Sequence, residues 1–195
     1  PHGDPATKLA PRIEGIPREH GARCAYKNDP QSMRPGGNAV KIAFCLNGEN
    51  RTEEVAGGEV LIDLLRDRMH VHSVKRGCEN AECGACTVLV DGLAVNACIY
   101  LAARIDGKTV TTLEGVGGPE SLHPIQQAFI EHGAVQCGFC GSGMILSALS
   151  LLRQNPAPTE HEIREGIAGN LCRCSGYTKI VEAVADAAER MRGGD

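Results

Sequence analysis

Eight of the ten cysteines in this 195-residue chain fall into two groups of four with short, unequal spacings. Cys78, Cys83 and Cys86 form a C-x4-C-x2-C run, closed by Cys98 shortly downstream. Cys137 and Cys140 form a C-x2-C pair, and Cys172 and Cys174 a C-x-C pair that must be brought to it by the fold. A chain that gathers four thiols at each of two points has to build its helices and strands around loops that converge there. Thiols packed into tight turns are the pattern of metal ligation, whereas the cysteines of a secreted disulfide scaffold are dispersed.

Four thiolates at such spacings suit a [2Fe–2S] cluster, whose compact anionic core is bound by short loops with inward-pointing amides. The C-x4-C-x2-C run is the plant-type ferredoxin pattern, with a fourth cysteine that comes early. Glycine lets the chain turn tightly beside bulky sulfides, and Gly77, Gly84 and Gly138 stand beside or between the cysteines, with Gly141, Gly169 and Gly176 flanking the second group. Cys137 and Cys140 are expected at a helix start, where the positive end of the dipole stabilises thiolates. Zinc is the competing reading, but structural zinc pairs two C-x2-C knuckles and neither group does so.

Net charge is −4, from 20 basic and 24 acidic residues, and no basic run stands out, which argues against nucleic acid as a partner. No stretch approaches the roughly 20 apolar residues of a membrane span, so no membrane insertion is expected. Residues 1–36 are polar and proline-rich and do not read as an intact signal peptide. Reduced clusters fit the cytoplasm; a leader removed ahead of Pro1 would make the location periplasmic. With six aromatics and no tryptophan the core is modest, and bound clusters would add stability that a small core lacks.

Residues 1–38 lack periodicity and read as an extended arm that wraps a partner. Ile42, Phe44 and Leu46 alternate as in a strand over Lys41–Leu46, Asn47-Gly48 is a hairpin signal, and a return strand is expected near Arg51–Val55. Leu61, Leu64, Leu65 and Met69 predict an amphipathic helix over Glu59–Met69. Thr87–Val90 reads as a strand ending at Asp91-Gly92, and Asp106-Gly107 precedes a strand over Thr109–Leu113. Gly115–Pro119 reads as a linker, and helices follow it. Ser121 and Pro124 start one that Gly133 ends. Met144, Ala148, Leu151 and Leu152 mark a second. Thr159 and Glu162 cap a third, with Ile163 and Ile167 inward, and Val181, Val184 and Ala188 mark the last. The division is an arm at 1–38, a β-rich domain at 39–114 and a helical domain at 115–195, each domain with one quartet.

Three runs carry a resemblance to a known family: Glu82-Cys-Gly-Ala-Cys-Thr-Val-Leu-Val-Asp-Gly92, Gln136-Cys-Gly-Phe-Cys140 and Gly169-Asn-Leu-Cys-Arg-Cys-Ser-Gly-Tyr177. With them, residues from about 40 to 190 resemble the small iron–sulfur subunit of the molybdenum hydroxylases, the xanthine dehydrogenase, aldehyde oxidoreductase and carbon monoxide dehydrogenase types. The resemblance implies an α+β fold, a β-grasp plant-type ferredoxin domain followed by a four-helix bundle. It implies that Cys78, Cys83, Cys86 and Cys98 hold the cluster nearer the acceptor, and Cys137, Cys140, Cys172 and Cys174 the one nearer molybdenum. It also implies that Gln136 and Cys174 lie beside the pterin of a molybdopterin cofactor on a large partner subunit. FAD or haem on a further, flavin or cytochrome, subunit would take the electrons.

The sequence departs from the family in places. Cys78-Glu-Asn-Ala-Glu-Cys83 lacks the glycines usual between the first two ligands, and Glu79 and Glu82 bring negative charge that lowers the potential. Gly141-Ser-Gly143 replaces a usual Thr-Pro-Gly. Cys45 reads as a small buried hydrophobe, while Cys24 is open between a free thiol, a partner contact and half a disulfide. His70 and His72 read as a surface pair, Arg173 as either a tuning charge or a salt bridge, and Tyr177 as packing.

The reading of function is an electron-transfer subunit of a molybdenum-dependent oxidoreductase, without catalysis of its own, since the chain has no dinucleotide fingerprint and no room for a molybdenum site. The alternatives are a ferredoxin-like shuttle, against which the helical second half argues, and a zinc-stabilised interaction module. Obligate association predicts an apolar face exposed on the isolated chain.

Overall fold

The computed structural model describes residues 39–193; the arm at 1–38, with Cys24, lies outside the described residues. Strand β1 (Ala39–Leu46) turns back into β2 (Glu49–Ala56) with Leu46 opposite Glu49 and Ala39 opposite Ala56. Asn47 and Gly48 take φ of 51° and 89°, so the turn is the type whose twist matches the strands. Asp91 and Gly92, at 51° and 84°, make the same turn between β3 (Thr87–Val90) and β4 (Leu93–Asn96). Strand β5 (Thr109–Thr111) is shorter than the alternation predicts. It inserts between the hairpins, parallel to β1 and antiparallel to β3, giving the order β2-β1-β5-β3-β4.

The helix expected over Glu59–Met69 is shorter. Val60 instead pairs as a bridge with Leu101, and the regular part is a wide turn of helix at Asp63–Arg68. Its apolar side still reaches the sheet: Leu61, Ile62, Leu64 and Leu65 are fully buried, each worth roughly 1.5–3 kcal/mol of burial. The mixed sheet crossed by this helix is the β-grasp arrangement. Cys45 is buried, as alternation suggested, but it is disulfide-bonded rather than a plain hydrophobe. Alternation reports where a side chain points and is blind to its bonding.

The second half is helical: α1 (Pro124–Glu131), α2 (Gly141–Gln154), α3 (Glu160–Gly166) and α4 (Thr178–Gly193). No described helix is long and apolar enough to cross a membrane. The first is capped by His123 rather than Ser121, with Gln126 completing a reciprocal box. Gln126 also donates to the Gly117 carbonyl, so the expected linker is pinned to the helix that follows it. Thr159 and Glu162 cap α3 as predicted, and Ile163 and Ile167 face inward.

There are two cores, one under the sheet and one among the helices, and β3 serves both. Val88 and Val90 pack in the first and Leu89 in the second. All four residues of β3 are buried. The β3–β4 hairpin is fastened to α2 through Ser150, whose hydroxyl donates to the Gly92 carbonyl at 3.2 Å and accepts from the Ala94 amide at 3.2 Å.

Candidate metal centres

Ahead of the first cysteine loop stands Arg76, whose guanidinium reaches back to the short helix to hold Asp63 at 2.6 Å and also pairs with Asp67 and Glu79. From that anchor the chain coils through left-handed residues at Glu79 (φ 59°), Ala81 (67°) and Gly84 (66°). The coil turns amides toward sulfur. Glu82 and Cys83 each donate to the Cys78 sulfur at 3.3 Å, and Cys78 donates to the Cys83 sulfur at 3.4 Å. Hydrogen bonding led by the Asn80 amide holds the Cys78 thiol down at about 7. Cys86 and Cys98 sit on the buried side, and burial pushes the Cys86 thiol up to about 12. A Cβ at Gly77 would stand 2.7 Å from the Cys83 sulfur, so the loop closes only with glycine there.

The second group assembles from two loops, 137–140 ahead of α2 and 172–174 ahead of α4. Cys137 and Cys174 bring their sulfurs to 3.6 Å. Cys140 sits at the start of α2 as expected, yet its thiol is raised to about 12 by burial and by the neighbouring Cys172. Burial would also raise Cys172, but the Ser175 hydroxyl and amide, at 3.1 and 3.4 Å, outweigh it and bring the thiol to about 7. Gln136 is exposed and donates to the Cys174 carbonyl at 3.3 Å, so the two residues named beside a pterin are in contact on the rim of the recess that the four thiols line. Phe139 and Leu171, neighbours in sequence of these cysteines, are about half exposed at 47% and 56%.

The donor set fits the group that the sequence implies. Each site offers four thiols: Cys78 lies beside Cys83 and Cys86 beside Cys98, Cys137 beside Cys174 and Cys140 beside Cys172. Four thiolates with backbone amides turned toward their sulfurs suit the compact anionic core of a [2Fe–2S] cluster.

Other residues fall differently from their sequence reading. Tyr177 is more than packing, since its hydroxyl accepts the Cys172 amide at 2.8 Å. Arg173 is exposed and makes no ion pair among the described residues. His70 and His72 are exposed, with ring centroids 6.1 Å apart. Sequence reasoning missed Arg76, Ser175 and Asn170; only Ser175, the residue directly after the C-x-C run, carried a local signal.

Known proteins resemble this arrangement. A profile described as the 2Fe-2S iron-sulfur cluster binding domain matches residues 44–112, and one described as the [2Fe-2S] binding domain matches residues 112–185. The nicotine 6-hydroxylase small subunit of Paenarthrobacter nicotinovorans is 49% identical over 148 residues, 76% of this chain and 89% of that protein. The nicotinate dehydrogenase small FeS subunit of Eubacterium barkeri is 49% identical over 153 residues, 78% of this chain and 98% of that protein. Among solved structures, quinoline 2-oxidoreductase from Pseudomonas putida 86 superposes with a TM-score of 0.76 at 40% identity, covering 81% of this chain and 99% of the matched one. With its two [2Fe–2S]-binding domains, the chain belongs to the small iron–sulfur subunits of the molybdenum hydroxylase family, of xanthine dehydrogenase and aldehyde oxidoreductase type, and is thus a subunit of a molybdenum-dependent oxidoreductase.

Proposed function

We propose that this chain relays electrons one at a time between a molybdopterin centre on a large partner subunit and a flavin or cytochrome acceptor subunit. Cys78, Cys83, Cys86 and Cys98 hold one [2Fe–2S] cluster, and Cys137, Cys140, Cys172 and Cys174 hold the other. A bound cluster supplies reversible one-electron transfer. The chain's residues do the rest: they ligate, and they aim the amides of Cys78, Glu82, Cys83 and Ser175 at the sulfurs. Gln136 and Cys174, joined on the rim of the second recess, make the pterin contact, and the half-exposed Phe139 and Leu171 dock against the large subunit. The division at 114/115 gives each domain one cluster.

The observation that carries this reading is the gathering of four thiols at each of two points, with backbone amides turned toward their sulfurs. The test is an iron and sulfide count on the purified complex, with a low-temperature EPR spectrum after dithionite reduction. About four irons and four sulfides per chain with two distinct signals is the expected result; zinc without a signal would overturn it. Substrate choice rests with the large subunit's pocket.

A further inference from the structure

The two candidate centres touch through backbone. The amide of Leu171, the residue before Cys172, donates to the carbonyl of Cys83 at 2.9 Å. One hydrogen bond therefore joins the main chain of a first-centre cysteine to the main chain adjoining a second-centre cysteine. Beside it stands Asn170, 3% exposed, whose amide nitrogen donates to the Gly84 carbonyl at 2.9 Å and to the Thr87 hydroxyl at 3.2 Å. Asn170 is anchored in turn, its own backbone amide donating to the Ile167 carbonyl at the end of α3 at 2.9 Å.

The approach leaves no slack. A Cβ at Gly84 would lie 2.3 Å from the Gly169 carbonyl oxygen, and Gly84 also needs its φ of +66°. A Cβ at Gly143, in the first turn of α2, would lie 2.2 Å from the Gly84 carbonyl oxygen. Two segments far apart in sequence, 169–171 and the first turn of α2, thus close on Cys83-Gly84, and Asn170 is the side chain that ties them together.

We propose that Asn170 is a positioning residue for electron exchange between the two centres, acting by clamping the 169–171 segment onto Cys83-Gly84 so that the Leu171-to-Cys83 hydrogen bond forms a continuous bonded route. Tunnelling falls off less steeply along covalent and hydrogen bonds than across a gap, so this contact is the short way between the ligand sets. The step moves one electron: the set around Cys172 gives it up and the set around Cys83 takes it, with no bond made or broken and no proton transferred. The proposal rests on the ligand assignment given under the proposed function.

The test uses the assembled, cluster-loaded complex. Asn170→Ala removes the clamp, and Gly143→Ala drives a wedge into the same contact while leaving Asn170 in place and favouring the helix. Iron, sulfide and the two EPR signals report whether the ligand assignment holds. Spin–spin splitting in the fully reduced complex, and the rate at which a single injected electron redistributes between the clusters, report the contact. The expected result is retention of both clusters with loss of the splitting and slower redistribution in both variants. Splitting and rate equal to wild type, with both clusters loaded, would overturn the proposal and leave the ligand assignment intact. Fewer than two signals in the wild type would overturn the assignment and the proposal with it. Should the variants fail to load, hydrogen exchange at the Leu171 amide of the wild-type complex decides: strong protection supports the route, and exchange at the rate of an open loop overturns it.

Discussion

Tyr177 takes the amide proton of Cys172 on its hydroxyl at 2.8 Å, and it does so from a left-handed backbone conformation with φ of +68°. That conformation costs a bulky residue about 1–2 kcal/mol. It directs one backbone donor of the second centre to an oxygen and away from sulfur. Tyr177→Phe is expected to release that amide, lower stability by about 1 kcal/mol and raise the reduction potential of the second centre, because each added hydrogen bond to sulfur favours the more negative, reduced form. Redox titration followed by EPR checks it; an unchanged potential would mean that the hydroxyl only packs.

Gly77 has no room for a methyl group against the Cys83 sulfur. Gly77→Ala is expected to displace that thiol and lose the first cluster while the second stays loaded. The readout is iron content falling toward that of one cluster, with one EPR signal gone and the other intact. Loss of both signals together would instead mean that the two loops fold as one unit.

In the first loop, Ala81 holds φ of +67° where a glycine would sit without strain. Relief of about 1–2 kcal/mol, less the backbone entropy of glycine at about 0.5–1 kcal/mol, leaves a net gain. Ala81→Gly should therefore stabilise the fold by up to about 1 kcal/mol, seen as a higher urea midpoint at unchanged slope. A lower midpoint would show that the Ala81 methyl makes packing contacts worth more than the strain.

Glu114 fastens the approach to the first loop. Its carboxylate accepts from the Ser73 amide at 3.0 Å and the Thr112 hydroxyl at 2.6 Å, while the Ser142 hydroxyl donates to the Ser73 carbonyl at 2.6 Å. Burial alone would raise the Glu114 carboxyl, but hydrogen bonds from the Ser73 and Thr112 hydroxyls and the Ser73 amide outweigh it and hold it below its ordinary value. A depressed carboxylate stabilises the fold above its unfolded value of about 4.3, and that contribution drains away as pH falls through the lower folded value. Glu114→Gln is expected to cost stability at neutral pH and to flatten the acid limb of a midpoint-against-pH curve. An acid limb identical to wild type would place the sensitivity in other carboxylates.

Much of this was legible where the physics is local. Asn47-Gly48 and Asp91-Gly92 announce their turns because two adjacent left-handed residues need those side chains, and the Thr159–Glu162 box closes over three positions. The cysteine groups were visible for the same reason, since each loop brings its thiols together over a few residues. The bridge of Val60 to Leu101, which shortens the expected helix, and the pinning of Gly117 by Gln126, which shifts the cap to His123, are tertiary events without a local mark. Asn170 meets Gly84 across 86 positions, and nothing in its immediate neighbours says so. Even the unusual Gly141-Ser-Gly143 acquires meaning only in space, where Ser142 reaches Ser73 and Gly143 makes way for Gly84.

Strand β3, with Val88 and Val90 turned one way and Leu89 the other, works as a party wall. A chain cut at the glycine-rich stretch before α1 would leave the helical half with one wall missing and α2 bare where the strand had stood. The sequence boundary between the halves is therefore not a line of easy cleavage.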